Sequence, residues 1–571
     1  MSGGTPATVL AQTTAGNTRS ESAPDSSQAQ GKLIYRVKRG DTLFAIGSNT
    51  KSFTVSLLGM LADDGLFDWD TPVKEYMPDW RLYDPVATDL MTAKDLVTHR
   101  SGLPRHDLLW LQTGLSREEL FSRLQYLEPN EPFRYKYQYQ NLMFMSAGIL
   151  AERLTGKSWE ALIDERLFGP LGMERANLSV DDSKKDDDFS YPYGHEDEGS
   201  PEAIPFRNID AVGPAGSINA SAREMAKYVQ FHIDYGKVGD EQLLSEETAR
   251  AMQSPQMPIS GPQLTAFFTG TEPGVLGDPS YGLGLMTGSY RGHKHVRHGG
   301  GIDGFISSME WLPHERIGVV VLSNSSSSGT VPGLVVRSVL DRLLGLDPID
   351  WAGQARESQA KAKAATEEAE KTAAAERHQG TSPSHDLADY AGSFGHPGYG
   401  GVEVSVEAGD MKIAAVGFEF PLEHYHYDVF QVKEGLEGRN GDFGGLTVVF
   451  LYDKRGTVDR VAIPLESNVS DIVFARLPDE ALTQRSHLEK LVGEYELAGQ
   501  VAKVQLRGET TLVLTVPGQP TYVMVPKQGN TFGLEGLDGF EVEFEVGVAD
   551  TLASAVTFRQ PNGTFVAKRK S

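Results

Sequence analysis

The 571-residue chain contains no cysteine. That absence removes disulfides, thiolate nucleophiles, cysteine-ligated zinc and iron–sulfur clusters, so covalent catalysis would have to run through an oxygen or a nitrogen. Positive charge is also short. Lys and Arg number 53 against 78 Asp and Glu, a formal net charge of -25, and such a field repels nucleic acid. Long apolar runs are missing as well: the aliphatic stretch Ile317–Leu322 is far below the roughly 18 residues that span a bilayer. Residues 1–30 are rich in Ser, Thr, Ala, Gly and Gln, with none of the apolar core of a signal peptide. The expectation is a soluble, cytoplasmic protein with no membrane or nucleic-acid partner and a disordered tail over residues 1–30.

At roughly 100 to 200 residues per domain, a chain of this length holds three or four. Residues 31–350 mix helical and strand patterns. Phe53, Leu57, Met60 and Leu61 recur at helical spacing from near Ser48 to a stop at Gly65, and Leu142, Met145, Ile149 and Leu150 mark a second helix over Tyr139–Leu154. Met309–Trp311 and Ile317–Leu322 read as strands joined by a turn. Residues 351–384 form a charged helical linker, with Lys363, Glu367 and Lys371 at i,i+4 spacing and no apolar stripe. Residues 385–480 and 485–571 are two related all-β units, since short alternating strands recur at a spacing of roughly 100 residues. Tyr390–Phe394 aligns with Leu491–Tyr495, and Ile472–Arg476 aligns with Phe565–Arg569.

A serine activated by a neighbouring base is the first nucleophile to seek, and Ser48-Asn49-Thr50-Lys51 sets Ser and Lys one helical turn apart. A chain of this size holds on the order of two chance S-x-x-K strings. One, Ser358–Lys361, falls in the solvated linker and is dismissed. Ser48 has company in the same mixed block: Tyr139-Gln140-Asn141 at the start of the second helix, and His298-Gly299-Gly300-Gly301 just ahead of the strands. The three histidines His293, His295 and His298 have no acidic neighbour in sequence, so no metal site is expected there.

In this order the motifs resemble those of serine β-lactamases and penicillin-binding proteins, S-x-x-K, Y-x-N and K-T-G or H-x-G. The tyrosine in the second motif is similar to the class C-like branch with D-alanyl-D-alanine carboxypeptidases, D-aminopeptidases and esterases. Gly65–Val73, His99–Pro104 and Pro214–Gly216 extend the resemblance over about Gly40 to Leu346. It implies an α+β fold, with a five-stranded antiparallel sheet flanked by helices, a helical subdomain, and the site in the groove between them. By the same resemblance, Ser48 attacks the carbonyl, Lys51 draws off its proton, Tyr139 shuttles protons and Asn141 orients Lys51. His298 belongs to the third motif, and the Gly300–Gly301 strand lies at the oxyanion hole, formed by the Ser48 and Gly301 amides. An apolar helix and two strands should precede Ser48. Only Lys32–Lys38 is available, so a sheet edge is expected to be missing or replaced.

The function expected is that of a serine hydrolase working through a Ser48 acyl-enzyme on amide or ester bonds of small substrates, without a cofactor. His298 is expected to be largely neutral where relatives carry a lysine cation, which favours D-aminopeptidase-, amidase- or esterase-like activity over β-lactam destruction. The alternatives are an acyltransferase using the same acyl-enzyme and a non-catalytic binding protein on a hydrolase scaffold.

Overall fold

The computed structural model describes residues 7–13, 41–111, 113–194, 201–260, 275–415, 417–433, 443–547 and 552–570. The central sheet is built from Ala7–Thr13 (β1), Met257–Pro258 (β2), Leu276–Tyr281 (β3), Met286–Tyr290 (β4), His293–Ile302 (β5), Phe305–Leu312 (β6) and Ile317–Ser323 (β7). Its order is β1-β7-β6-β5-β4-β3-β2. All neighbours are antiparallel except β1, which runs parallel to β7 with Ala7 opposite Ile317 and Thr13 opposite Ser323.

Two expectations change here. Seven strands stand where five antiparallel ones were implied, and the stretch read as a disordered tail contributes β1. The reason is the open edge of β7, whose main-chain groups would otherwise lack a partner. Lys32–Lys38 lies outside the described residues.

Strand β7 reads Ile-Gly-Val-Val-Val-Leu-Ser and is buried throughout, as a strand covered on both faces must be. Val319 and Val321 cluster with Val336 and Leu340 of the helix Val331–Leu343, while Val320 and Leu322 join the main core with Val229 of the helix Ala222–Ile233. The helical subdomain is organised around Thr50–Asp63 (α1), which is buried from Thr50 to Leu61 and therefore apolar on every side rather than amphipathic. Asn141–Thr155 (α2) packs beside it and ends at Gly156 in a left-handed conformation, φ 71°. The second helix thus starts two residues later than its apolar spacing suggests.

A 26-residue helix, Trp351–Glu376, leads out of this domain. Trp351 is buried and donates to Asp341 at 2.9 Å, and Arg377 caps the far end by donating to the carbonyls of His424 and Tyr425. Two closed eight-stranded antiparallel barrels follow, Gly392–Arg476 and Gly493–Arg569. Their kinship is structural as well as sequential. Arg476 lies 4.6 Å over the Phe394 ring and donates to Asp389 and Ala391, while Arg569 lies 5.6 Å over the Tyr495 ring and donates to Lys490 and Val492. In each barrel one arginine closes the first strand against the last. The first barrel shares a continuous apolar core with the domain of the central sheet, and the second has a core of its own. Among the described residues no helix is long and apolar enough to cross a membrane.

Candidate active site

Ser48 sits in a tight turn, Gly47–Asn49, that feeds directly into α1. The turn is pressed onto β5. A Cβ at Gly47 (φ 51°) would stand 2.9 Å from the Gly301 nitrogen, and one at Gly300 would stand 1.9 Å from the Ile46 oxygen. Side chains are thus excluded where the Ser48 turn meets the strand. Ser307 on β6 completes the seat by donating to the Ile46 carbonyl at 2.8 Å and accepting from Asn49 at 2.8 Å.

One turn on, Lys51 is fully buried, and its Nζ contacts Ser48 Oγ at 3.0 Å, Asn141 Oδ1 at 2.7 Å and the Ala215 carbonyl at 2.8 Å. Burial pushes the Lys51 ammonium well below the usual lysine range, Arg105 adds to that, and Asp107 opposes it. The Tyr139 ring lies 4.7 Å from Lys51 Nζ and 4.8 Å from the Arg105 guanidinium. Burial raises its phenol well above the ordinary value, while a hydrogen bond with Ser48 and the charge of Arg105 pull the other way.

The loop carrying Tyr139 is templated by residues 99–104. His99 accepts from the Gln138 amide through its carbonyl at 2.7 Å and from the Gln140 amide through Nδ1 at 3.0 Å, so it grips both sides of Tyr139. The Gln138 and Gln140 side chains donate to the carbonyls of Gly102 at 2.9 Å and Pro104 at 2.6 Å. Asp107 in turn accepts from Arg105 at 2.6 Å, Asn141 at 2.9 Å and Trp110 at 3.0 Å.

His298 is 2 % exposed, which sets it behind the cleft wall rather than in it. Its Nδ1 contacts the Gly299 carbonyl at 2.6 Å, so Nδ1 carries the proton, and Nε2 accepts from Tyr281 at 2.9 Å. Burial, with Lys51 next, lowers its imidazole to about 3. The neighbouring histidines find carboxylates after all, because the β5–β6 hairpin brings Glu315 to 2.6 Å from His293 and Glu310 to 2.7 Å from His295. Among the described residues no group of three side chains is arranged to hold a metal ion.

The resulting cleft has a volume of about 350 Å³ and is lined by Ser48, Asn141, Gly301, Arg105 and Asp107, with apolar walls from Trp110, Leu111, Ile209, Val212, Ile302 and Ile306. Of the sequence-derived site residues, Ser48, Lys51, Tyr139 and Asn141 are brought together and Gly301 joins them in the cleft. Gly300 supports the Ser48 turn from beneath. Arg105 and Asp107 escaped sequence reasoning, although they directly follow the His99–Pro104 stretch that carried part of the resemblance. Arg105 matters because it supplies a permanent cation that the neutral His298 does not.

A serine in the turn that leads into a buried helix, a buried lysine within hydrogen-bond distance of it, and a tyrosine and an asparagine beside that lysine form one cluster, and the family and relatives make the chain a serine hydrolase. Residues 6–343 match the family described as Beta-lactamase, and the chain belongs to that family. Residues 376–476, the end of the linker helix and the first barrel, match a domain of unknown function, DUF3471. The chain is 29% identical over 381 residues to the protein named Unguisins hydrolase ungD' of Aspergillus campestris, covering 63% of this chain and 68% of that one. It is 29% identical over 328 residues to a D-aminopeptidase of Cereibacter sphaeroides, covering 55% and 57%. Among solved structures it is similar to the octameric penicillin-binding protein homologue from Pyrococcus abyssi, with TM-score 0.47, 22% identity, and 77% of this chain and 90% of that chain covered.

Proposed function

We propose that the protein hydrolyses amide bonds of small substrates through an acyl-enzyme on Ser48. The observation that carries this is the environment of Lys51 Nζ. Two of its three partners, Asn141 Oδ1 and the Ala215 carbonyl, are acceptors only. A neutral lysine amine has two protons and one lone pair. Both protons are taken by those oxygens, and the lone pair is left for the Ser48 hydroxyl 3.0 Å away. Burial favours that neutral state.

Ser48 Oγ then attacks the substrate carbonyl while its proton passes to Lys51. The carbonyl oxygen becomes an oxyanion, held by the main-chain amides of Ser48 and Gly301, which share the cleft. Tyr139, beside Lys51, relays the proton to the leaving amine as the C–N bond breaks. Its raised phenol keeps it protonated and able to donate. In the second half-reaction a water gives up its proton along the same route, attacks the ester carbonyl, and releases the acid and Ser48.

The relatives named D-aminopeptidase and hydrolase support an amide as the scissile bond. The apolar walls at Trp110, Ile209, Val212 and Ile306 suit an uncharged side chain. Arg105 lines the cleft as a permanent cation suited to a substrate carboxylate, which neutral His298 is not. The test is a panel of D-aminoacyl amides, L-aminoacyl amides, short acyl esters and β-lactams. The expected result is fastest turnover of the aminoacyl amides, lost in Ser48→Ala. Turnover of β-lactams far above that of every amide, or amide turnover retained in Ser48→Ala, contradicts the proposal.

A further inference from the structure

Barrel and active site meet at one residue. His106 adopts a left-handed backbone, φ 48° and ψ 35°, a conformation that non-glycine residues keep only when their surroundings enforce it. It is fully buried and lies between the cleft residues Arg105 and Asp107, so the turn at His106 decides where both of those side chains point. Its polar groups are met mostly from the far end of the chain. The His106 amide donates to Glu466 Oε2 at 2.8 Å, and the Tyr399 hydroxyl lies 2.8 Å from His106 Nδ1. His106 Nε2 faces the Glu128 carbonyl at 3.4 Å. A carbonyl can only accept, so Nε2 carries the proton and Tyr399 donates to Nδ1.

The barrel side of this contact is itself fixed. Glu466 Oε1 accepts from the Asn468 amide at 3.1 Å and side chain at 2.9 Å, Glu466 and Tyr399 are 8% and 4% exposed, and Arg123 donates to the Gly398 carbonyl at 3.0 Å beside them.

We infer that the first barrel is a positioning element of the active site: Glu466 and Tyr399 hold His106 in its left-handed turn and thereby set Arg105 and Asp107 beside the nucleophile. The contacts form one path. Glu466 holds His106, Asp107 follows it in the chain, Asp107 accepts from Asn141, and Asn141 accepts from Lys51, which meets Ser48. Residues 399 and 466 both fall in the stretch matched by the domain of unknown function, and this assigns that domain a task in catalysis. The inference rests on the proposed roles of Ser48, Lys51 and Asn141.

The charged and titratable groups around Lys51 are Arg105, Asp107, Tyr139, His99 and His298. Of these, His99 and His298 are held neutral by burial, and Arg105 depresses Lys51 more than Asp107 raises it. Loosening the Arg105–Asp107 segment therefore moves the lysine up.

The test uses full-length Glu466→Ala, Tyr399→Phe and Glu466→Gln, read by kcat, KM and the pH profile of kcat/KM on an aminoacyl amide, by thermal unfolding, and by amide hydrogen exchange in residues 103–111. In Glu466→Ala the exchange of that segment should speed up. A displacement of about 1 Å at a catalytic group costs on the order of 100-fold, so kcat should fall at least tenfold, more than KM changes, with the ascending, acid-side limb set by deprotonation of Lys51 displaced to higher pH. Tyr399→Phe should do the same to a smaller degree, and Glu466→Gln, which keeps a carbonyl for the His106 amide, should recover part of kcat. Unchanged exchange in residues 103–111 of Glu466→Ala overturns the inference whatever the activity. A fall in kcat with an unmoved pH limb and no recovery in Glu466→Gln overturns it too, because a merely structural defect does that. Failure of the underlying reading shows separately, as wild-type turnover that Ser48→Ala does not abolish.

Discussion

Gly300→Ala tests the geometry of the nucleophile turn. A Cβ there would begin 1.9 Å from the Ile46 oxygen and 2.5 Å from Ser307 Oγ, whereas Cβ contacts do not fall under 3.0 Å, so the turn and the strand must part by at least about 1.1 Å. Ile46 stands two residues before Ser48, and the movement opens the gap between the Ser48 and Gly301 amides. A shift of that size costs on the order of 100-fold in kcat. Overpacking adds about 1–3 kcal/mol of destabilisation, roughly 2–4 °C of melting temperature per kcal/mol in a domain of this size. Gly301→Ala is the control, because its Cβ would meet only Ile306 Cδ1 at 3.6 Å, an ordinary contact, and kcat should stay within about tenfold. Steady-state amide hydrolysis and differential scanning calorimetry on the two variants decide it. The reasoning fails if Gly300→Ala keeps more than a third of wild-type kcat/KM with an unchanged melting temperature.

Three further outcomes are expected. Tyr139→Phe keeps the ring beside Lys51 and Arg105 but deletes the phenol hydroxyl, and kcat should drop about 10²–10⁴-fold, measured by single-turnover kinetics. Arg105→Gln should raise KM for amides that carry a free carboxylate more than for those that lack one; equal effects on both remove Arg105 from substrate recognition. Acid should unfold the protein partly through His232, whose two ring nitrogens have no hydrogen-bond partner among the described residues and whose imidazole burial lowers from 6.5 to about 3. Above pH 6.5 the group is neutral in both states and costs nothing. As pH falls from 6.5 toward 3 only the unfolded chain takes the proton, at about 1.4 kcal/mol per pH unit. His232→Phe should therefore cut the stability lost between pH 7 and pH 5 by about 2 kcal/mol, read from urea midpoints, and an unchanged loss refutes the assignment.

What could be read from the sequence follows from how local each signal is. The Ser48–Lys51 spacing, the apolar repeats of α1 and α2 and the hairpin at Leu312–Ile317 lie within a few residues, and they reappear in the structure with small shifts at the ends. The barrel repeat was legible because Arg476 and Arg569 each answer the same need, sealing a barrel's first strand. Long-range partners were not legible. Nothing in the stretch around His106 announces Glu466, 360 positions away. The pairing of His295 with Glu310 needs the β5–β6 register before it can be seen. Arg105 precedes and Asp107 opens a three-residue 3-10 turn too short to leave a periodic signal, with the left-handed His106 between them. The parallel edge strand β1 was read as tail because its polar surroundings carry no sheet signal without β7 beside it.

We propose Ser48 as the nucleophile, activated by Lys51. The most direct test is intact-protein mass spectrometry and peptide mapping after exposure to a fluorophosphonate. One phosphonyl group is expected on Ser48, none in Ser48→Ala, and labelling slowed by orders of magnitude in Lys51→Met. Absence of labelling in the wild type, or an equal label in Ser48→Ala, contradicts it.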